Sequence, residues 1–149
     1  MKQGRLSNKR GFTLIEIALA LGILAILIVS VAQARGLSDQ ARVMAAAESI
    51  RTLRGAAESY ISGGNMTFSG VSVAALKTNN RLPAGFSATG SNPWGGNYNI
   101  AANSGDNTKV DIALTSVPAN AGTQLSNQFQ NSAGSTNYDS SSNTWTATF

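Results

Sequence analysis

The chain begins with a long apolar run that changes into an amphipathic pattern. No charged side chain lies between Ile17 and Ala34. As a helix this run would be about 27 Å long, close to the ~30 Å hydrocarbon core of a bilayer. Apolar residues then recur at steps of three and four as far as Ile61. Because no proline interrupts this stretch, the pattern predicts one helix from about Phe12 to Ile61, ended by Ser62-Gly63-Gly64-Asn65.

The remainder of the chain is rich in Ser, Thr, Asn and Gly, which favours short strands and loops. Residues 72–77 predict a short helix with Ser72 as its cap. Residues 97–102 and 108–117 predict a β-hairpin, residues 118–131 a helix, and residues 144–149 a last strand. The sequence therefore predicts an α+β fold, in which the amphipathic half of the long helix packs on a small antiparallel sheet.

Composition argues against most enzyme chemistry. The chain has no Cys and no His, so disulfides, thiolate or imidazole metal sites and the usual catalytic triads are absent. Asp106, Asp111 and Asp139 are scattered and lack the spacing of a calcium loop, so we expect no metal and no cofactor. The run from Asn92 to Gly96 lacks the lysine of a phosphate loop and predicts a structural turn. We expect a protein that is not an enzyme.

The net charge of +4 is concentrated at the N-terminus. The first ten residues hold four of the eleven basic side chains, and the remainder holds seven basic and seven acidic ones. No basic patch is therefore expected to bind nucleic acid. A basic segment before an apolar helix instead predicts that the N-terminus stays in the cytoplasm.

The segment from Arg10 to Glu16, with the sequence RGFTLIE, is the most informative in the chain. A carboxylate within an apolar helix is costly, so Glu16 is a functional candidate that requires a cationic partner. A glutamate placed simply among lipid head groups is the alternative.

This segment, with its basic leader and the apolar helix that follows, resembles the prepilin signal of type IV pilins. The resemblance implies that a membrane-bound prepilin peptidase cuts between Gly11 and Phe12 and methylates the new Phe12 amine. It also implies that Glu16 pairs with the N-terminal amine of a neighbouring subunit during assembly. Type II secretion pseudopilins and competence pilins share this signal.

The resemblance implies a pilin-like lollipop in three parts. Residues 1–11 are the leader, residues 12–35 the transmembrane or filament-core half of the helix, and residues 36–149 a globular domain that includes the helix to about residue 61. The precursor would cross the bacterial inner membrane once and then move into a cell-surface pilus for adhesion, motility or DNA transfer. Its expected partners are identical subunits, prepilin peptidase, the inner-membrane assembly machinery and, before assembly, the lipid bilayer.

The order of elements after the long helix is similar to that of the type IVb pilins. The short leader and Phe12 are more typical of the type IVa group, and the two Cys that usually staple the C-terminal region are missing. Packing of Leu125, Phe129, Trp145 and Phe149 must then hold that region. Two alternatives stay open: a minor pilin or type II secretion pseudopilin, and a secreted binding module whose ordinary signal peptide is cut at Ala32-Gln33-Ala34.

Overall fold

A computed structural model describes residues 14–86 and 91–149, without the side chains of residues 26–37. These residues divide between two units, one ending at Ser38 and the other running from Asp39 to Phe149, called the C-terminal unit below. The predicted α+β fold is confirmed. In chain order the elements are α1 (Leu14–Ser62), α2 (Val73–Thr78), β1 (Tyr98–Ala102), β2 (Val110–Leu114), α3 (Ala119–Phe129), β3 (Ser135–Asp139) and β4 (Thr144–Thr148).

The part of α1 within the C-terminal unit buries one face, as its periodicity predicts. The buried residues recur at steps of three and four, include several alanines and belong to the shared core. They are Val43, Ala46, Ala47, Ile50, Leu53, Ala56 and Ala57.

Two glycines and an arginine end α1 at Ser62. Gly64 has a φ of 108°, a left-handed conformation that favours glycine and stops the helix. Arg81 donates through Nη1 to the carbonyl oxygen and the hydroxyl of Ser59, which satisfies one of the last helical carbonyls. A Cβ atom on Gly63 would collide with this guanidinium group. The predicted end of the helix is therefore confirmed to within one residue.

The sheet has the strand order β1-β2-β4-β3, and each neighbouring pair is antiparallel. Alternate residues of β1, β2 and β4 face the helices and are buried, whereas their neighbours face away from the core. The predicted alternation in β2 is confirmed, since Val110, Ile112 and Leu114 are all buried. The inward-facing set is Tyr98, Ile100, Val110, Ile112, Leu114, Trp145 and Ala147.

Two strand predictions differ from the structure. The second predicted strand extends to residue 117, whereas β2 ends at Leu114 because Ser116 adopts a φ of 59° that breaks the ladder. Strand β3 was not predicted at all. Its sequence, STNYD, is polar, and it lies at the edge of the sheet with a single neighbour, so burial imposes no apolar alternation on it.

Helix α3 covers the β3 and β4 side of the sheet. Ala121, Leu125 and Phe129 are buried at the predicted spacing of four, although Pro118 is the N-cap and not the first helical residue. The Phe129 ring contacts the rings of Trp145 and Phe149 at centroid distances of 5.6 and 6.0 Å.

Further contacts fix the C-terminal strand. Trp145 donates through Nε1 to Ser126 Oγ at 3.0 Å. On the other side, the guanidinium carbons of Arg51 and Arg54 lie 5.7 and 5.0 Å from the centres of the Phe129 and Phe149 rings. The predicted aromatic packing is therefore confirmed, and it anchors the C-terminal region to both α3 and α1.

Candidate functional site

The predicted processing site and the predicted assembly residue differ in how far the structure describes them. Gly11 and Phe12 lie outside the described residues. Glu16 is described and is the third residue of α1. A carboxylate in the first turn of a helix interacts favourably with the partial positive charge of the unpaired N–H groups there. Glu16 thus lies near the described N-terminal end of α1.

The described side chains around Glu16 form an exposed apolar surface. Every described side chain from Leu14 to Ala25 is exposed, and the large apolar ones range from 49% exposed at Ile17 to 89% at Leu14. Soluble monomers rarely leave such a continuous apolar stretch in water, so its burial requires other molecules.

Glu16 belongs to one face of this apolar surface. It lines a shallow groove together with Ile17, Ala20, Leu21 and Leu24. A carboxylate in an apolar groove is suited to bind a complementary apolar surface that carries one cation. The described lining of the groove consists of four aliphatic side chains and one carboxylate.

The predicted membrane span is only partly described. No helical stretch within residues 14–86 and 91–149 is long and apolar enough to be assigned as a membrane span. The predicted span covers residues 12–35, of which residues 12 and 13 and the side chains of residues 26–35 are not described.

The three scattered aspartates each have their own partners. Asp106 pairs with Lys109 at 3.3 Å. Asp111 accepts from Asn103 Nδ2 at 3.0 Å and from Thr148 Oγ1 at 2.7 Å. Asp139 accepts from neighbouring serines of its own hairpin. In the part of the chain that the structure describes, no group of three acidic side chains is close enough to share a cation.

The glycine-containing run that begins at Asn92 is a structural turn. Asn92 is buried, and its Oδ1 accepts from the backbone N–H groups of Trp94 and Gly96 at 3.0 and 3.1 Å. Its Nδ2 donates to the Thr115 carbonyl at 2.7 Å. These N–H groups are therefore engaged within the turn, which joins the start of β1 to the end of β2 and offers no cradle for phosphate.

Comparison with protein families identifies the family of the chain that carries this apolar helix. A family model described as the prokaryotic N-terminal methylation motif matches residues 6–32, which include Gly11, Phe12 and Glu16. A second, described as PilS N terminal, matches residues 34–147 and so covers more than half of the chain. The chain belongs to the PilS N-terminal family. The two matches together make it a type IV pilin.

The pilin family matches leave the subgroup open, because neither description distinguishes type IVa from type IVb. No curated protein sequence matches this pilin significantly. The PilS match spans nearly all of the C-terminal unit, whereas the methylation motif covers the apolar helix and the residues before it. The two sequence matches thus cover separate parts of the chain, and both point to a pilin.

The sequence did not indicate the role of two arginines that contact aromatic residues near the C-terminus of this pilin. Arg51 and Arg54 stack on Phe129 and Phe149, and Arg54 also donates to the Ser132 carbonyl at 3.1 Å. Their spacing of three residues places them on one face of α1. That spacing alone does not distinguish them from ordinary solvated arginines, because their aromatic partners lie more than 70 residues away.

Proposed function

We propose that this pilin is the structural subunit of a type IV pilus. Prepilin peptidase removes residues 1–11 on the cytoplasmic side of the inner membrane and methylates the amine of Phe12. Residues 12–35 then lie in the bilayer until the assembly machinery transfers the subunit to the filament. In the filament these residues form a core of helices, and residues 36–149 form the domain outside that core.

The exposed apolar face of α1 is the observation that carries this proposal. The structure covers none of the described side chains between Leu14 and Ala25, and the matching methylation motif spans them. Lipid and a bundle of neighbouring helices are both dry surroundings, so one apolar surface serves before and after assembly. For a protein that stays in water, an exposed apolar surface of this kind would bring no benefit.

Glu16 supplies the specific contact within that surface. Once Gly11 is removed, the Phe12 amine is a cation four residues before Glu16, and a neighbouring subunit presents the same pair. A buried carboxylate facing a buried ammonium offsets the cost of desolvating both, although the net stabilisation of such pairs is small. The pair therefore fixes the register of neighbouring helices more than it strengthens the filament.

Substitutions at Glu16 test this assignment. We expect Glu16→Leu to insert normally into the membrane, because it makes the segment more apolar, but to leave the neighbour's Phe12 amine unpaired. Removing one partner of a buried pair costs about 3 to 5 kcal/mol, so the yield of sheared surface filaments should fall strongly. Glu16→Asp should give an intermediate yield, because the charge remains but its reach is shorter by one methylene.

Glu48→Leu is the matched control, since Glu48 is exposed on the same helix and pairs only with Arg51 at 3.7 Å. Its filament yield should be close to that of the unmodified pilin. The measurement is the ratio of sheared filament to membrane-bound subunit for each variant. A normal ratio for Glu16→Leu would show that the acid serves only as an anchor among lipid head groups.

The same filament preparation distinguishes a major pilin from a minor pilin or a pseudopilin. A major pilin is the abundant chain of the sheared filaments, whereas a minor pilin or pseudopilin is scarce there. The matched families do not distinguish these, nor adhesion from motility or DNA transfer.

A further inference from the structure

Not every charged side chain of the C-terminal unit forms an ion pair among the described residues. It carries six basic and six acidic side chains, and four ion pairs within α1 and the β1–β2 loop account for four of each. The remainder are two cations, Lys77 and Arg81, and two anions, Asp111 and Asp139. Asp111 is half-buried and bonded to Asn103 and Thr148. Asp139 is therefore the exposed anion without a cationic partner among the described residues.

Lys77 belongs to α2, which packs beside edge strand β1, whereas Asp139 lies at the opposite edge of the sheet. Lys77 donates through Nζ to the Phe86 carbonyl at 3.2 Å, and the Phe86 ring lies 5.8 Å from that of Tyr98, the first residue of edge strand β1. Asp139 is the last residue of the other edge strand, β3. Each edge thus carries one sign of charge.

Asp139 also lies close to the level of Tyr98 along the strands. Tyr98 pairs with Leu114, Leu114 with Trp145, and Trp145 with Tyr138, which forms one row across all four strands. Asp139 is the residue next to Tyr138. Three strand spacings separate the two edges, a distance of about 14 Å. A second copy displaced sideways by about the width of the domain would therefore bring the Tyr98 end of its β1, near which Lys77 bonds Phe86, towards the first copy's Asp139.

Both groups have bonding capacity left for a partner. Lys77 has three N–H donors, of which one is used on Phe86. The Asp139 carboxylate offers about four acceptor positions, and Ser141 and Ser142 fill three of them with one backbone N–H and two hydroxyl donors. Strand β3 itself is short, polar and ends in a charge, features that prevent pairing of edge strands between molecules. Contact at this edge must then be made by side chains.

We propose that Asp139 of one subunit bonds Lys77 of a neighbouring subunit in the filament, so that the β3 edge of each domain faces the β1 edge of the next. This inference rests on the proposed pilus function and names the surface by which the domains contact one another. The contact joins two different patches of the same chain. Such a head-to-tail contact extends without closing whenever the rotation between copies does not form a ring, which suits a helical filament.

We expect this contact to determine how neighbouring domains are aligned, and to contribute little to the affinity between them. An exposed ion pair contributes little to affinity and is screened by salt, whereas two like charges placed together oppose a given arrangement strongly. Charge reversal is accordingly a sharper test than neutralisation.

The first test reverses each charge in the full-length pilin. Asp139→Lys and Lys77→Glu should each reduce the yield of sheared filaments at least about five-fold, while the double variant should recover to within about two-fold of the unmodified yield. Asp106→Lys is the control, because it reverses an acid on the other hairpin that already pairs with Lys109 within its own loop, and it should leave the yield unchanged. Normal yields for both single variants, or a double variant no better than the weaker single one, would overturn the proposal.

The second test does not depend on how well a charge-reversed variant folds. The pilin has no cysteine, so Lys77→Cys and Asp139→Cys can be introduced together and filaments treated with a short bismaleimide. A disulfide would be too short, because the Cα atoms of a Lys–Asp pair are farther apart than it allows. We expect a ladder of linked multimers from the double variant, and none from either single variant or from Asp106→Cys with Asp139→Cys.

The outcomes separate the two proposals. Filaments that form normally but give no ladder would contradict the ion pair and leave the pilus function standing. Unmodified pilin that never enters a filament would contradict the proposed function and the ion pair with it.

Discussion

Several polar side chains of the C-terminal unit form hydrogen bonds with residues close to them in sequence, and Asp139 is the clearest case. Its carboxylate accepts from the backbone and hydroxyl of Ser141 at 2.9 and 2.7 Å and from the Ser142 hydroxyl at 2.7 Å. These bonds to the ionised form lower the pKa of Asp139 to about 2. The bond from the Thr108 hydroxyl likewise lowers the pKa of Asp106.

The depressed pKa of Asp139 predicts a loss of stability in acid. Because the folded pKa lies below the unfolded one, its contribution is fully present above about pH 4 and is lost as the pH falls towards 2. We expect the free energy of unfolding to decline over that range, and to decline less in Asp139→Asn. Urea unfolding at a series of pH values measures this. Identical pH profiles for the two proteins would show that the serine bonds do not favour the ionised form.

Single residues also show the limit of inference from sequence. The turn beginning at Asn92 was predicted as structural from its Pro and Gly content, and the structure confirms it. The predicted turn did not reveal that Asn92 is buried with its amide bonded to the Thr115 carbonyl. Those residues are 23 positions apart and meet only because β1 and β2 pair.

At the scale of elements, predictions succeed where burial enforces a period. Helix α1, the alternation of β2 and the spacing of Ala121, Leu125 and Phe129 in α3 all follow from a buried face. Strand β3 has no such constraint, since its outer edge is unpaired and its residues are polar. Strand β3 forms because it pairs with β4, and this pairing is not indicated by the local sequence pattern.

The aromatic contacts of α3 predict a large cost for Phe129→Ala. This residue packs between Trp145 and Phe149 with Arg51 over its ring, so truncation leaves a cavity and releases the C-terminal strand. The free energy of unfolding should fall by about 3 to 5 kcal/mol. Thr146→Ala, on the other face of β4, should change it by less than about 0.5 kcal/mol. Chemical denaturation compares the two, and equal effects would mean that the aromatic cluster does not anchor the C-terminus.

At the scale of the whole molecule, the chain combines a unit with its own core and an apolar helix without one. The C-terminal unit buries residues of α1, the sheet and α3 together, whereas the described side chains from Leu14 to Ala25 remain exposed. The apolar periodicity of the sequence predicted both parts. The processing residues Gly11 and Phe12 follow from the motif alone and remain predictions, as does the role of Glu16.

This division predicts that residues 39–149 fold as an isolated fragment. Their core is complete without the preceding helix, and the chain contains no cysteine. We expect a soluble fragment that unfolds cooperatively, with the same circular dichroism under oxidising and reducing conditions. A fragment that stays unfolded in both would show that the packing of Leu53, Ala57 and Trp145 is insufficient without the apolar segment.

The sequence of the mature N-terminus tests the pilin account most directly. Filaments sheared from cells that produce this protein would be purified, and the intact mass and first residues of the chain determined by mass spectrometry. The account predicts a chain that begins at N-methylated Phe12, with the 11 residues of the leader removed. A mature protein that begins at Arg35, after cleavage by an ordinary signal peptidase, would contradict it.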